Sequence, residues 1–259
     1  MPKPLQVPMF KPETEWVPPT HLPDLSDRKE IAIDLETKAP DLLTMGSGSV
    51  RGDGEVIGIA VAVEGWSGYF PINHEGGGNM DRALVLDWFE EVLHTDATKI
   101  FHNAMYDVSW IRSMGFQIRG GIIDTLIAAS LINENRWGYA LNALGKEYVG
   151  MGKNEKILQE AAKEWGINPK SEMWRLPAPL VGEYAEQDAV VTLKLWHALQ
   201  HEISKQDLWD VFNLETNLFP CLVDMKFKGV RVDIDKAEAT KAQLVDAEKE
   251  MHRDIKKIA

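Results

Sequence analysis

The feature that most constrains the fold is the order of its extended and helical stretches. Three apolar runs of strand length come first: EIAIDLET at 30–37, VIGIAVAVEG at 56–65 and WSGYFPI at 66–72. The last two are separated by a tight turn and read as a hairpin. The next stretch, RALVLDWFEEVLH at 82–94, has helical spacing, with Leu84, Leu86, Trp88, Val92 and Leu93 recurring near the 3.6 period. A short apolar strand, KIFHNA at 99–104, follows it, and then a helical stretch, MYDVSWIRSMG, that stops at Gly115. IIDTLIAASLIN at 122–133 reads as an apolar helix with Asp124 as its N-cap. Further helices are expected at about 140–149, 155–165 and 178–204. Strands first, then strand and helix alternating, then mostly helices, predicts a three-layer α/β domain with a mixed sheet.

Before this region, residues 1–28 contain Pro2, Pro4, Pro8, Pro12, Pro18, Pro19 and Pro23. Proline in such density excludes helix and central strand, so an extended arm is expected, draped or loose. LTMGSGSVRGDGE at 43–55 reads as a glycine-rich turn or loop, and NHEGGGNMD at 73–81 as a flexible loop. Near residue 206 the character changes. A long amphipathic helix ends at Gly229, and a charged helix from Ile234 is still in pattern at Ala259. We expect three parts: the arm at 1–28, an α/β domain at 29–205 and a helical segment at 206–259 that opens a further domain.

Within the apolar segments, acids occupy positions where the pattern calls for hydrophobic residues. Asp34 and Glu36 are two apart in a strand and so share a face, roughly 7 Å apart along it. Asn103 and Asp107 are four apart at the start of a helix whose apolar stripe continues through Trp110, Ile111 and Met114. Tyr184 and Asp188 are four apart on a helical face shared with Val181, Val191 and Leu195, whereas Glu183 and Glu186 lie elsewhere and read as solvated. A buried carboxylate is costly unless it is paired, protonated or bound to a cation. Four together favour divalent cations, two of them, and all-oxygen donors select Mg²⁺ or Mn²⁺ over Zn²⁺. Such a pair of ions is the arrangement used for in-line attack on phosphodiesters. Taken singly, each motif has an ordinary reading as a turn, a cap or a surface pair; three such segments together point to a site.

The net charge of −12 argues against a nucleic-acid partner unless the acids are concentrated at a metal site. No stretch approaches the ~20 apolar residues that span a bilayer. The single cysteine, Cys221, excludes an intrachain disulfide and fits a reducing compartment.

The segments IAIDLET, FHNAMYD and YAEQDAVVTLKLW resemble, in order and spacing, the three motifs of the DEDD-type 3′–5′ exonucleases of the tyrosine-bearing subgroup. IIDTLIAASLIN and the tail CLVDMKFKGVRVDIDKAEAT are similar to the proofreading domain and the entry to the thumb of family A DNA polymerases, of phage type. The resemblance covers about residues 29–259. It implies an RNase H-like fold and release of nucleoside 5′-monophosphates from the 3′ end of single-stranded DNA, as the proofreading part of a polymerase whose polymerase domain lies outside this chain. It further implies a monomer acting in the cytoplasm, in a phage's case that of its host. Asp34, Glu36 and Asp188 would hold one metal. Asp34 would hold the second with help from Asp107, and Tyr184 would orient the attacking water. Thr37 and Asn103 would lie near the terminal nucleotide. Pro40 stands where the family often carries an apolar wedge. Arg136, Lys146, Lys153, Lys156 and Arg175 are candidates for the strand path, each with an ordinary reading as a solvated charge, and His102 is expected to pack beside its strand. The alternatives are an RNase D-like exonuclease acting on RNA and a non-catalytic scaffold of the same fold. Retention of all four acids and Tyr184 argues against the scaffold.

Overall fold

The computed structural model describes residues 14–152, 155–169 and 171–258, without the side chain of Leu43. Among these residues five strands form one mixed sheet in the order β3-β2-β1-β4-β5: β1 (Glu30–Lys38), β2 (Glu55–Val63), β3 (Trp66–Pro71), β4 (Thr98–Phe101) and β5 (Ile122–Asp124). β1, β2 and β3 run antiparallel through the hairpin at Glu64–Gly65, where Gly65 supplies the positive φ the turn needs. β1 pairs with β4, and β4 with β5, in parallel. Parallel neighbours need a crossover. Helix α2 (Arg82–His94) supplies the first, and α3 (Ala104–Ser113) the second.

The long helix α7 (Pro179–Lys205) lies along one face of the sheet. Its Val181, Ala185, Ala189 and Leu195 join Ala32, Ala60, Tyr69 and Ile100 in the main core. Small residues on the strands let the helix approach closely. α4 (Thr125–Ile132), α5 (Leu141–Leu144), which runs on as a π-helical turn at Gly145–Val149, and α6 (Lys156–Trp165) complete this layer. On the opposite face Phe70 meets Trp88 of α2 at a ring separation of 4.3 Å. The three-layer mixed α/β fold expected from the sequence is therefore present. α2 is turned slightly from its expected face: Val85 and Phe89 are buried, while Leu84 is 59% exposed. A short helix, α1 (Leu42–Met45), follows β1. Ile122–Asp124, at the head of the stretch read as helical, pairs with β4 as a strand, and the helix starts at Thr125, directly after its expected N-cap Asp124.

Of the two open alternatives for the arm, draped or loose, its described part takes the first, and the loop expected to be flexible is fixed. The second half of the arm is draped on the domain. Trp16 sits where a side chain at Gly182 would stand, 2.2 Å from a Cβ there, and its indole N–H donates to Glu186 Oε2 at 3.1 Å. Glu186 also accepts from Ser67 at 2.6 Å, so it is a clasp and not a solvated acid. Further along, the Pro23 carbonyl accepts from Trp88 Nε1 at 2.7 Å. The loop at 74–78 is bound to residues 174–179, which lead into α7. The Glu75 amide donates to the Trp174 carbonyl at 3.0 Å, and the Ala178 amide to the Gly77 carbonyl at 2.9 Å. The glycines allow this approach: a Cβ on Gly76 would lie 2.2 Å from the Pro177 nitrogen, and Gly77 and Gly78 adopt φ of +87° and +80°.

The chain divides into two compact units, with the boundary between Val223 and Asp224. In the first, the start of α8 (Trp209–Lys228) reaches the core through Phe212, stacked on Trp196 at 5.5 Å. In the second, α9 (Ile234–Ile258) is an exposed amphipathic helix.

Candidate active site

β1 outruns β4. The two strands pair only over Glu30–Ala32 and Thr98–Ile100, so β1 continues with no strand beside it on that edge. After Phe101 the chain turns through His102 and Asn103, and Asn103 takes the left-handed conformation at φ 67° to start α3. This turn brings Asp107 to the edge that β4 leaves open. Asp107 Oδ1 accepts the Leu35 amide at 2.9 Å, in place of a strand carbonyl. On either side of Leu35, Asp34 and Glu36 point to the α7 face, paired across the sheet with Ala60 and Gly58. α7 brings Tyr184 and Asp188 over the same face.

Glu36, Asp107 and Asp188 are only 7%, 3% and 3% exposed; Asp34 and Tyr184 are half-buried. Burial raises the Asp107 pKa well above the usual carboxylate range and the Asp34 charge raises it further, against the Leu35 hydrogen bond. Tyr184 is held far above its ordinary value by burial first, then by Glu36, Asp188 and Asp34. The acids therefore form one electrostatic cluster, and the charges acting on Asp107 and Tyr184 are carboxylates. Among the described residues no three His, Cys, Asp or Glu side chains converge closely enough to chelate an ion as they stand. The donor set, carboxylate oxygens alone, fits a hard divalent cation.

Beside the acids opens a cleft of about 460 Å³, lined by Glu36, Thr37, Leu42, Tyr106, Leu141, Asn142, Met173 and Tyr184 among others. Its volume lies in the ordinary range for ligand sites. Thr37 is bound to the Tyr106 hydroxyl at 2.5 Å, which fixes both at the mouth. Asn103 is exposed at the start of α3 and does not line this cleft. Pro40 is exposed, and Leu42, two residues on, is among the apolar residues that line the cleft.

Several supports were not evident from sequence. Asp124 caps α4 as expected, accepting from the Leu126 amide at 2.9 Å, but it also accepts from the Asn103 and Ala104 amides at 2.9 and 2.8 Å. One carboxylate thus caps two helices and sets the angle at which α3 presents Asp107. His102 does more than pack: it bonds Thr125 Oγ1 and the Tyr139 carbonyl, each at 2.9 Å, tying the turn before α3 to the cleft wall. Of the basic residues considered for a strand path, Arg136 pairs with Glu147 at 2.7 Å and Arg175 with Glu172 at 2.9 Å. Lys146 and Lys156 are exposed, and Lys153 lies outside the described residues.

Residues 21–204 match the family described as 3′–5′ exonuclease. The chain belongs to the 3′–5′ exonuclease family. The exonuclease domain is 36% identical over 98% of this chain to a DNA-directed DNA polymerase of Pseudomonas phage M6, covering 40% of that protein. It is 33% identical over 71% of the chain to the DNA polymerase DpoZ of Vibrio phage phiVC8, covering 31% of it. The chain thus spans well under half the length of these relatives. In fold it is similar to Brucella melitensis NrnC with bound Mg²⁺ (TM-score 0.58, 18% identity, 80% of this chain and 90% of that one). It is also similar to the POL domain of Pol1 from M. smegmatis in complex with DNA primer-template and dNTP (TM-score 0.58, 16% identity, 85% of this chain and 32% of that one). The resemblance read from the three motifs, to the proofreading exonucleases of phage-type family A polymerases, agrees with these relatives. Among the described residues no helix is long and apolar enough to cross a membrane.

Proposed function

We propose that this exonuclease domain hydrolyses the 3′-terminal phosphodiester of single-stranded DNA, releasing nucleoside 5′-monophosphates, with two divalent cations held by Asp34, Glu36, Asp107 and Asp188. The observation that carries the reading is that four carboxylates from three elements form one electrostatic cluster, three of them nearly buried, beside an open cleft. When bound, Mg²⁺ or Mn²⁺ would supply the charge that stabilises the attacking and leaving oxygens. The chain's own residues do the rest. Asp34 and Glu36 are fixed by the strand, Asp107 by its bond to the Leu35 amide, and Asp188 by α7. Tyr184 keeps its proton, because burial and three carboxylates oppose the phenolate. It therefore orients water by hydrogen bonding and does not act as a base. Thr37, Tyr106 and Leu42 form the wall against which the terminal nucleotide rests, and Asn103 stays a candidate contact for the strand at the rim. We assign residues 1–28 to an arm, 29–205 to the exonuclease and 206–259 to the start of a polymerase domain.

The phage polymerase relatives favour DNA over RNA as substrate and proofreading as the role. The test is digestion of 5′-labelled, matched DNA and RNA oligonucleotides by wild type and Asp34→Ala in Mn²⁺. Stepwise shortening of DNA by wild type alone is expected. Digestion of neither strand, or of both equally by the two proteins, would sink the catalytic reading; faster digestion of RNA would move the assignment to the RNase D-like class.

A further inference from the structure

Tyr69 and His74 take no part in the steps above, yet they lie directly behind the acids. Tyr69 stands in the cross-strand row Asp34–Ala60–Tyr69, on the face covered by α7, and is wholly buried. Its ring runs back over β2, so that a Cβ on Gly58 would lie 2.0 Å from the phenolic oxygen. Gly58 is the cross-strand partner of Glu36, and directly opposed Cβ atoms stand about 5 Å apart. The phenolic oxygen thus takes the place of a side chain at position 58, facing Glu36. The charges that act on Tyr69, after burial, are those of Glu36 and Asp34.

The direction of the Tyr69 proton follows from its partner. Its oxygen is 2.6 Å from His74 Nε2, and His74 Nδ1 is 3.1 Å from the Leu176 carbonyl. A carbonyl only accepts, so Nδ1 carries the ring proton. Burial lowers the imidazole pKa to about 4, which keeps the ring neutral near pH 7 and leaves Nε2 bare. Nε2 then accepts the phenolic hydrogen. The ring is also anchored through its backbone: the His74 amide donates to Asn79 Oδ1 at 2.7 Å, and Asn79 Nδ2 donates to the His74 carbonyl at 2.8 Å. Trp16 backs the Tyr69 ring at 5.9 Å.

We propose that His74 is a positioning residue that draws the Tyr69 hydroxyl proton away from Glu36 and Asp34, so that this hydroxyl does not compete with a divalent cation for them. The inference rests on the metal reading given above. Without an acceptor at Nε2, the hydroxyl rotates about its C–O bond toward the acids. A cation must then displace a charge-assisted hydrogen bond, which weakens its binding by about tenfold or more. The same contact joins the sheet behind Glu36 to Leu176, three residues before α7, so His74 also fixes where Tyr184 and Asp188 begin.

The test is Mn²⁺ binding to the full chain without substrate, read by electron paramagnetic resonance, in wild type, H74L, Y69F, Y69F/H74L and H74Q. Wild type is expected to bind, and H74L to bind about tenfold more weakly. Y69F/H74L should return to within about twofold of wild type, because no hydroxyl is left to compete. H74Q should stay close to wild type, since one amide can accept from Tyr69 and donate to Leu176. At saturating Mn²⁺, H74L should regain kcat with an unchanged KM for DNA. Equal weakening by H74L in the wild-type and Y69F backgrounds, or none in either, overturns the inference. If H74L fails to fold, as judged by melting in chelator, Y69F alone decides: affinity at or above wild type supports the role, and a tenfold loss overturns it. Failure of wild type to bind Mn²⁺ would instead sink the metal reading itself.

Discussion

Asp107 serves two demands that conflict. Its carboxylate completes the backbone hydrogen bonding of β1 at Leu35, and its charge lies beside that of Asp34 in a buried place. The folded state favours the protonated form, since burial and Asp34 raise the pKa. A raised carboxylate binds more protons folded than unfolded, so stability falls as pH rises from about 4 through the folded-state pKa. In chelator, melting temperature should therefore decline over this range, and Asp107→Asn should flatten the decline. The carboxamide that this substitution introduces still accepts from the Leu35 amide and carries no charge, so the metal-free variant should melt about a few degrees higher than wild type at pH 7. Its exonuclease rate should fall by roughly 100-fold or more, ~2.7 kcal/mol in the barrier. A variant that melts lower at every pH would refute the electrostatic account. The four acids and Tyr184 were legible because each interrupts an apolar pattern from within. Tyr69 and His74 were not: a tyrosine in a strand is ordinary core, and His74 meets Leu176 only across 102 residues of chain.

Among the elements, α7 is the best defined by sequence, expected at 178–204 and found at Pro179–Lys205. Its long apolar face and the proline at its first turn fix both phase and start. The strands β1 to β4 were likewise evident. β5 is not evident from sequence because two isoleucines before an N-cap look like helix; only the partner β4 makes Ile122–Asp124 a strand. The loop at 74–78 was misread for a related reason. Three glycines signal freedom in isolation, but here Gly76 admits the backbone of residues 176–177 and Gly77 and Gly78 take the positive φ of the turn. At Gly182 the same logic gives a test with a change of sign. Gly182→Ala drives a methyl into the Trp16 ring and should destabilise the domain by about 1–3 kcal/mol, freeing the arm to proteolysis. In a Trp16→Ala background the clash is gone, and the same substitution should stabilise by up to about 1 kcal/mol through helix propensity. Chemical denaturation of the four proteins checks the cycle; additive effects would show that Trp16 does not occupy that notch.

For the whole molecule, the charge of −12 limits how DNA is held. Arg136 and Arg175 are already paired with Glu147 and Glu172, and the described residues that line the cleft include no Lys or Arg. Binding of an oligonucleotide 3′ end should depend weakly on salt, with a slope of log KM on log salt of about 1, since each neutralised phosphate of a single strand contributes ~0.7. A slope near 4 or above would reveal a basic track that the described residues lining the cleft do not supply. The sequence made the charge plain but not its distribution, because ion pairs such as Arg136–Glu147 form between loops. The early end of β4 has one more consequence, for observation and not for chemistry. Where a strand would have supplied an inert carbonyl, the Leu35 amide faces a titrating group. Its ¹H–¹⁵N resonance should shift as Asp107 gains or loses its proton, and move again on addition of Mg²⁺. A single backbone signal in the middle of a rigid sheet then reads out the charge state of the entire site, in solution and without substrate.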